Sequence, residues 1–173
     1  ASNRANPFWF QHPDLGDTEP RDHSATLIAT LERFGLDALV VIGGEGSLTI
    51  AHRLHQLGVP IVGIPKTIDN DVRGTTQTIG FDTAVTTATD AIDRLHTTAE
   101  SHHRVMLVEL MGRDAGWIAL YAGVSGGADV ILIPELPFSL EHVASVVLRR
   151  RERGRHFTIV AVAEGARPAG GEA

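Results

Sequence analysis

The sequence predicts an α/β protein: a three-layer, doubly wound, mostly parallel sheet. Three observations carry that expectation. Apolar runs alternate along the chain with amphipathic stretches. The runs are near-continuous rather than alternating, which suits parallel strands buried on both faces. The composition is 43% hydrophobic but only 5% aromatic, so the core is made of small side chains that let helices sit close on a sheet. In open sheets of this kind, ligands bind beyond the C-terminal ends of the strands.

The expected strands are "DALVVIGG" (37–44), "VPIVGI" (59–64), "RVMLVEL" (104–110), "VILIP" (130–134) and "FTIVAVA" (157–163). The helical patterns between them differ in character. "SATLIATLERFG" ends at Gly35, a C-cap candidate. Residues 47–57 align Ile50, Ala51, Leu54 and Leu57. Residues 81–100 align Phe81, Ala84, Val85, Ala88, Ile92, Leu95 and Ala99. Residues 116–125 are small and apolar, and residues 139–153 open on Ser139 as N-cap.

At 173 residues, one domain is the default. Residues 1–26 are polar and unpatterned, 27–166 form the α/β core and 167–173 a tail. The chain stops just after an apolar strand, so a fragment of a larger domain is expected. The net charge is −6 and no basic stripe occurs, so a nucleic-acid partner is not expected. The cluster "RRRERGR" (149–155) suits the solvated C-terminal end of a helix. With no cysteine, disulfides and thiolate metal sites are excluded. No apolar stretch is long enough for a membrane helix, and a soluble cytoplasmic protein is expected. His52 and His55 share a helix face but lack a third ligand, and His102 and His103 are adjacent, so no zinc site is expected.

Three expected strand ends carry unusual chemistry. "GGEGS" (43–47) leads into a helix whose N-terminus suits phosphate. Glu45 would repel a phosphate unless a cation such as Mg²⁺ lay between them. The plain alternative is a tight turn with an exposed Glu. "GIPKTIDND" (63–71) places Lys66, Thr67, Asp69 and Asp71 together just after Pro65, which is expected to end the strand. If the segment is extended, the two carboxylates point the same way. Adjacent like charges raise one pKa, which suits a general base. The alternative is an Asx-rich turn that uses Asp and Asn to close backbone bonds. "ELMGRDAGW" (109–117) sets Arg113 between two glycines at a helix start, suited either to gripping phosphate or to solvent.

Taken together, "GGEGS", "GIPKTIDND", "TIGFDTAV", "SHHRVMLVELMGRDAGWIALYAG" and "GGADVILIPE" resemble the bacterial-type 6-phosphofructokinase family, in order, from Asp37 to Ala166. "SNRANPF" resembles a further family stretch, making Arg4 a nucleotide contact. The resemblance implies Mg²⁺- and ATP-dependent phosphorylation of the 1-hydroxyl of fructose 6-phosphate by a homo-oligomer. It implies Asp69 as base, Asp71 as its supporting carboxylate, and Thr67 and Ile68 beside substrate. Glu45 would hold the metal, and Gly44, Gly46 and Ser47 the nucleotide phosphates. Met111, Gly112 and Arg113 would form a sugar-phosphate segment in which Arg113 also stabilises the transferring phosphoryl group. Arg104 would reach a neighbouring subunit's site, and Glu164 would bind sugar hydroxyls. Gly46 is typical of ATP-dependent members and Lys66 of pyrophosphate-dependent ones. His96 and Asp129 depart from the residues of an effector site in well-studied members. A pyrophosphate-dependent enzyme and a non-catalytic phosphate-binding subunit are the alternatives.

Overall fold

The computed structural model describes residues 6–11 and 18–170. The chain forms two compact units, Ala1–Lys66 and Thr67–Ala173. Arg4 lies outside the described residues.

The first unit holds α1 (Ser24–Arg33), β1 (Leu39–Gly43), α2 (Glu45–Gln56) and most of β2 (Ile61–Thr67). β1 and β2 pair in parallel, with Leu39 opposite Ile61 and Gly43 opposite Pro65. Proline therefore does not end this strand: Pro65 is paired within it, and the strand runs on to Thr67. Phe8, Leu54 and Val59 form a small core, with Leu27, Ile28, Leu31, Leu39, Ile50 and Ile61 packed against it. The described part of the N-terminal segment before α1 holds only turns, bends and isolated bridges, yet it is anchored: Phe8 is buried, and the Arg53 guanidinium sits 3.7 Å from its ring centroid. The expectation of burial on both faces fails here. Val40, Ile42 and Val62 are about 60% exposed, because within this unit the described helices cover one face only.

The second unit holds β3 (Ile79–Gly80), α3 (Phe81–His102), β4 (Val105–Leu110), α4 (Trp117–Ser125), β5 (Val130–Leu132), α5 (Leu140–Glu152) and β6 (Thr158–Ala163). The strands lie in two ladders, ordered β1–β2–β3 and β4–β6–β5. β6 is the central strand of the second, parallel to both neighbours, and nearly all its residues are buried. Phe81, Ala88, Ile92 and Ala99 of α3 meet Ile118, Ala119 and Ala122 of α4 over Ile159, Ala161 and Ala163. The alanines are what let helix backbones approach the sheet. The edge strand β4 leaves Leu107 exposed.

Element by element, the expected boundaries shift by a few residues at most. Ser139 caps α5 by accepting the His142 N–H at 3.1 Å. Gly35 follows α1 in the left-handed region. The two-residue β3 has no periodic signal and was not expected. The arginine cluster at the end of α5 is not wholly solvated. Arg150 Nη1 meets Asp129 Oδ1 at 2.8 Å, and both side chains are largely buried. Asp129 Oδ2 also accepts the Ile159 N–H at 2.9 Å, so one carboxylate ties α5 to the entry of β6.

Removing one partner of a largely buried pair strands the other, so Asp129→Ala is expected to cost about 3 kcal/mol. Ser139→Ala, which removes only a cap, should cost about 1 kcal/mol. Denaturant titration of the two variants in the full-length protein checks the ranking.

Candidate active site

The second unit gathers most of the expected site residues at the C-terminal ends of its strands. β2 ends at Thr67, and the chain then bends. Asn70 takes a left-handed conformation, φ 55°. Its Oδ1 accepts the Thr78 N–H at 2.9 Å, while Thr78 Oγ1 donates to the Thr67 carbonyl at 2.9 Å. The segment is therefore a turn, not an extended strand, and the strand-alternation argument for Asp69 and Asp71 does not hold. Asn70 plays the turn-closing part that the Asx reading foresaw, and it leaves both aspartates available. Ile68 turns its side chain into the main core, fixing the segment between Thr67 and Asp69.

Thr67 Oγ1 donates to Asp69 Oδ2 at 3.3 Å, and the Asp69 N–H donates to Thr67 Oγ1 at 3.2 Å. The Asp69 carboxyl titrates above its ordinary value. Burial is the main cause, and the Asp71 charge adds to it. The Thr67 hydroxyl and the Arg113 guanidinium oppose the rise, and the Glu164 charge adds a smaller increment. Four of the expected site residues thus share one electrostatic neighbourhood with Asp69. Because its folded pKa is raised, Asp69 holds its proton more tightly folded than unfolded. Any stability from this group is present below the ordinary carboxylate range and is lost as pH rises through the raised value.

Arg113 follows β4 in a tight turn. Gly112 has φ 144°, Arg113 has φ 50°, and the Ala115 N–H donates to the Gly112 carbonyl at 2.8 Å. A side chain at 112 would strike the Ala115 carbonyl, so glycine is required there. The Gly112 and Arg113 N–H groups both donate to Glu164 Oε1, at 3.1 and 2.6 Å. Gly165 lies against the Arg113 carbonyl, where no Cβ fits. Arg113 precedes α4 rather than opening it, and its exposed guanidinium meets Asp114 at 3.4 Å. Met111 is exposed beside it. Phe81, at the start of α3, makes an edge contact with Tyr121 at 5.4 Å, and Tyr121 one with Trp117 at 6.2 Å. These rings brace the helix starts that follow the Asp69 and Arg113 loops.

Arg104 is not brought to this cluster. It is exposed at the opposite, N-terminal end of β4, about 20 Å of strand away from the Arg113 turn. Gly44, Glu45, Gly46, Ser47 and Lys66 lie in the first unit. There Gly44 is the N-cap of α2 with no side-chain cap, Glu45 is the first helical residue, and Glu45, Gly46 and Ser47 are exposed. A Cβ at Gly46 would meet nothing within 4 Å. One carboxylate was missed by sequence reasoning: Glu135, after β5, accepts the Gly116 N–H at 2.8 Å. Its position just past a strand end was the available signal.

The chain is similar to known proteins over most of its length. The phosphofructokinase family model matches residues 1–173. An ATP-dependent 6-phosphofructokinase of Chloroflexus aurantiacus is 63% identical over 144 residues, covering 83% of this chain and 40% of that protein. ATP-dependent 6-phosphofructokinase 2 of Clostridium perfringens is 53% identical over 173 residues, covering 99% and 47%. The chain thus spans about 40–47% of these relatives' lengths. Among solved structures, phosphofructokinase of Pichia pastoris matches with TM-score 0.78 and 37% identity, covering 85% of this chain and 18% of that one. A pyrophosphate-dependent phosphofructokinase of Marinobacter aquaeolei matches with TM-score 0.76 and 29% identity, covering 84% and 41%.

If the Asp71 charge helps hold the Asp69 proton, Asp71→Asn shifts the acidic limb of the pH–rate profile of the full-length protein to lower pH. Thr67→Val, which removes an opposing hydrogen bond, shifts it to higher pH. Two shifts of the same sign would contradict this assignment. The ordered motifs, the fold and these relatives agree that the chain belongs to the phosphofructokinase family.

Proposed function

We propose that the full-length protein is an ATP-dependent 6-phosphofructokinase whose catalytic base is Asp69. The observation that carries this reading is the Asp69 carboxyl bonded to Thr67 at 3.3 Å, half-buried, with the Asp71, Arg113 and Glu164 charges acting on it. A phosphate binder has no use for such a base, whereas phosphoryl transfer to a hydroxyl does. Asp69 takes the proton from the 1-hydroxyl of fructose 6-phosphate. That oxygen bonds to the γ-phosphorus as the bond to the bridging oxygen breaks, and ADP leaves. Arg113 offsets charge on the moving phosphoryl group, and Thr67 positions the reacting groups. Ile68, Met111, Gly112 and Glu164 contribute to sugar-phosphate binding. Gly44, Gly46 and Ser47, at the N-terminus of α2, are suited to the nucleotide phosphates.

The residues fit Mg²⁺. Glu45 is a hard carboxylate donor in the first turn of α2. Among the described residues no cluster of three or more His, Cys, Asp or Glu could hold a metal. A site of one or two carboxylates completed by phosphate oxygens and water suits this ion. When bound, the ion neutralises charge on the donor's phosphates.

Gly46 favours ATP, because the space beside it is open and position 46 itself adds neither bulk nor an acidic side chain. Lys66 favours the second reading, with pyrophosphate as donor. Arg104, away from its own chain's cluster, supports a homo-oligomer in which it serves a neighbouring site. No described helix is long and apolar enough to cross a membrane, and we read the enzyme as cytoplasmic.

In the full-length protein, Asp69→Asn should lower kcat by about 10³-fold or more with fructose 6-phosphate affinity kept. Unchanged turnover would sink the assignment. Wild-type turnover should be higher with ATP than with pyrophosphate, and Gly46→Asp should depress the ATP rate selectively. ATP turnover that first appears in Lys66→Gly would make pyrophosphate the natural donor.

A further inference from the structure

The turn carrying Arg113 is held from two sides by carboxylates on the next two strand ends. From the β6 side, Glu164 Oε1 takes the N–H groups of Gly112 and Arg113. From the β5 side, Glu135 Oε1 takes the N–H of Gly116 at 2.8 Å. A Cβ built at Gly116 would lie 2.6 Å from Glu135 Oε2 and 2.5 Å from Ile133 Cβ, so the backbone is pressed against this strand end. The two residues held by the first anchor, Gly112 and Arg113, both have positive φ, 144° and 50°. A non-glycine residue held there costs on the order of 1 kcal/mol or more and persists only where its surroundings fix it. Three charge-assisted acceptor contacts from two side chains supply that fixing. Glu135 also sits at the N-terminus of α4, where the helix dipole favours a carboxylate.

We propose that Glu135 is a positioning residue for phosphoryl transfer: through Gly116 it fixes the far end of the turn that aims the Arg113 guanidinium. The proposal rests on the reading of Arg113 as the phosphoryl-stabilising cation. Glu135 touches no substrate in this scheme. Its effect belongs on kcat, because misdirecting a cation by an ångström weakens charge stabilisation in the transition state more than ground-state binding. Glutamine at 135 keeps a carbonyl oxygen at the same reach, so it should keep the anchor.

The test uses the full-length protein with Glu135→Ala and Glu135→Gln, each also combined with Arg113→Ala. The expected result for Glu135→Ala is a fall in kcat of about tenfold with KM for fructose 6-phosphate within about twofold. Glu135→Gln should restore most of the loss. In the Arg113→Ala background, Glu135→Ala should add almost nothing. Amide hydrogen exchange over residues 112–117 should quicken in Glu135→Ala and return to the wild-type rate in Glu135→Gln. The exchange arm needs no turnover, so it tests the anchor even if the proposed activity fails. Unchanged exchange and kcat in Glu135→Ala would overturn the proposal. So would a full, additive loss in the Arg113→Ala background. Should Glu135→Ala not fold, Glu135→Asp carries the same comparison, since it keeps the charge but shortens the reach.

Discussion

The parallel register of β6 between its two neighbours is the constraint on which the second unit depends. Leu110 stands opposite Ala163, and Leu132 opposite Val162. Three strands therefore end close to one level, and the segments leaving them, 111–116, 133–135 and 164–165, emerge side by side. The Glu164 N–H continues the ladder by donating to the Leu110 carbonyl at 2.9 Å. One residue of slip would exchange the two faces of the strand. Ile159, Ala161 and Ala163 would then leave the face that packs on α3 and α4, and the carboxylate at 164 would no longer face the Arg113 turn. Burial along β6 thus sets the position of polar groups that are themselves exposed.

The same logic explains the small residues around that turn. Gly112, Gly116 and Gly165 sit where backbone meets backbone or a strand end. Each removes a side chain so that N–H groups can reach a carboxylate directly. The strain at Arg113 is local, and what offsets it comes from residues far along the chain.

Much of this was legible in the sequence. The continuous apolar runs gave the strands, and the Ser139 cap and the Gly35 stop gave helix ends, because those signals arise from the residues concerned. The chemistry at the strand ends was legible through its spacing. What was not legible depended on distant partners. Local sequence left the aspartate segment open between an extended stretch and an Asx turn, and the contact of Asn70 with Thr78, eight residues on, decides for the turn. The pairing of Arg150 with Asp129 joins residues twenty-one apart in sequence across packed elements, and a run of arginines by itself looks solvated. Glu135 was not singled out, since its contact with Gly116 exists only once β4 and β5 flank β6.

The uncovered face of the first unit has a practical meaning. Val40 and Val62 lie opposite one another in the β1–β2 register, and Ile42 follows on the same side. That is a contiguous aliphatic surface on the paired strands β1 and β2, in a sequence with no charge between residues 38 and 44. Surfaces of this kind stick to one another when left bare. Produced without a covering layer, the polypeptide is a candidate for inclusion bodies, and the choice of expression boundaries decides how much soluble material any biochemical experiment begins with.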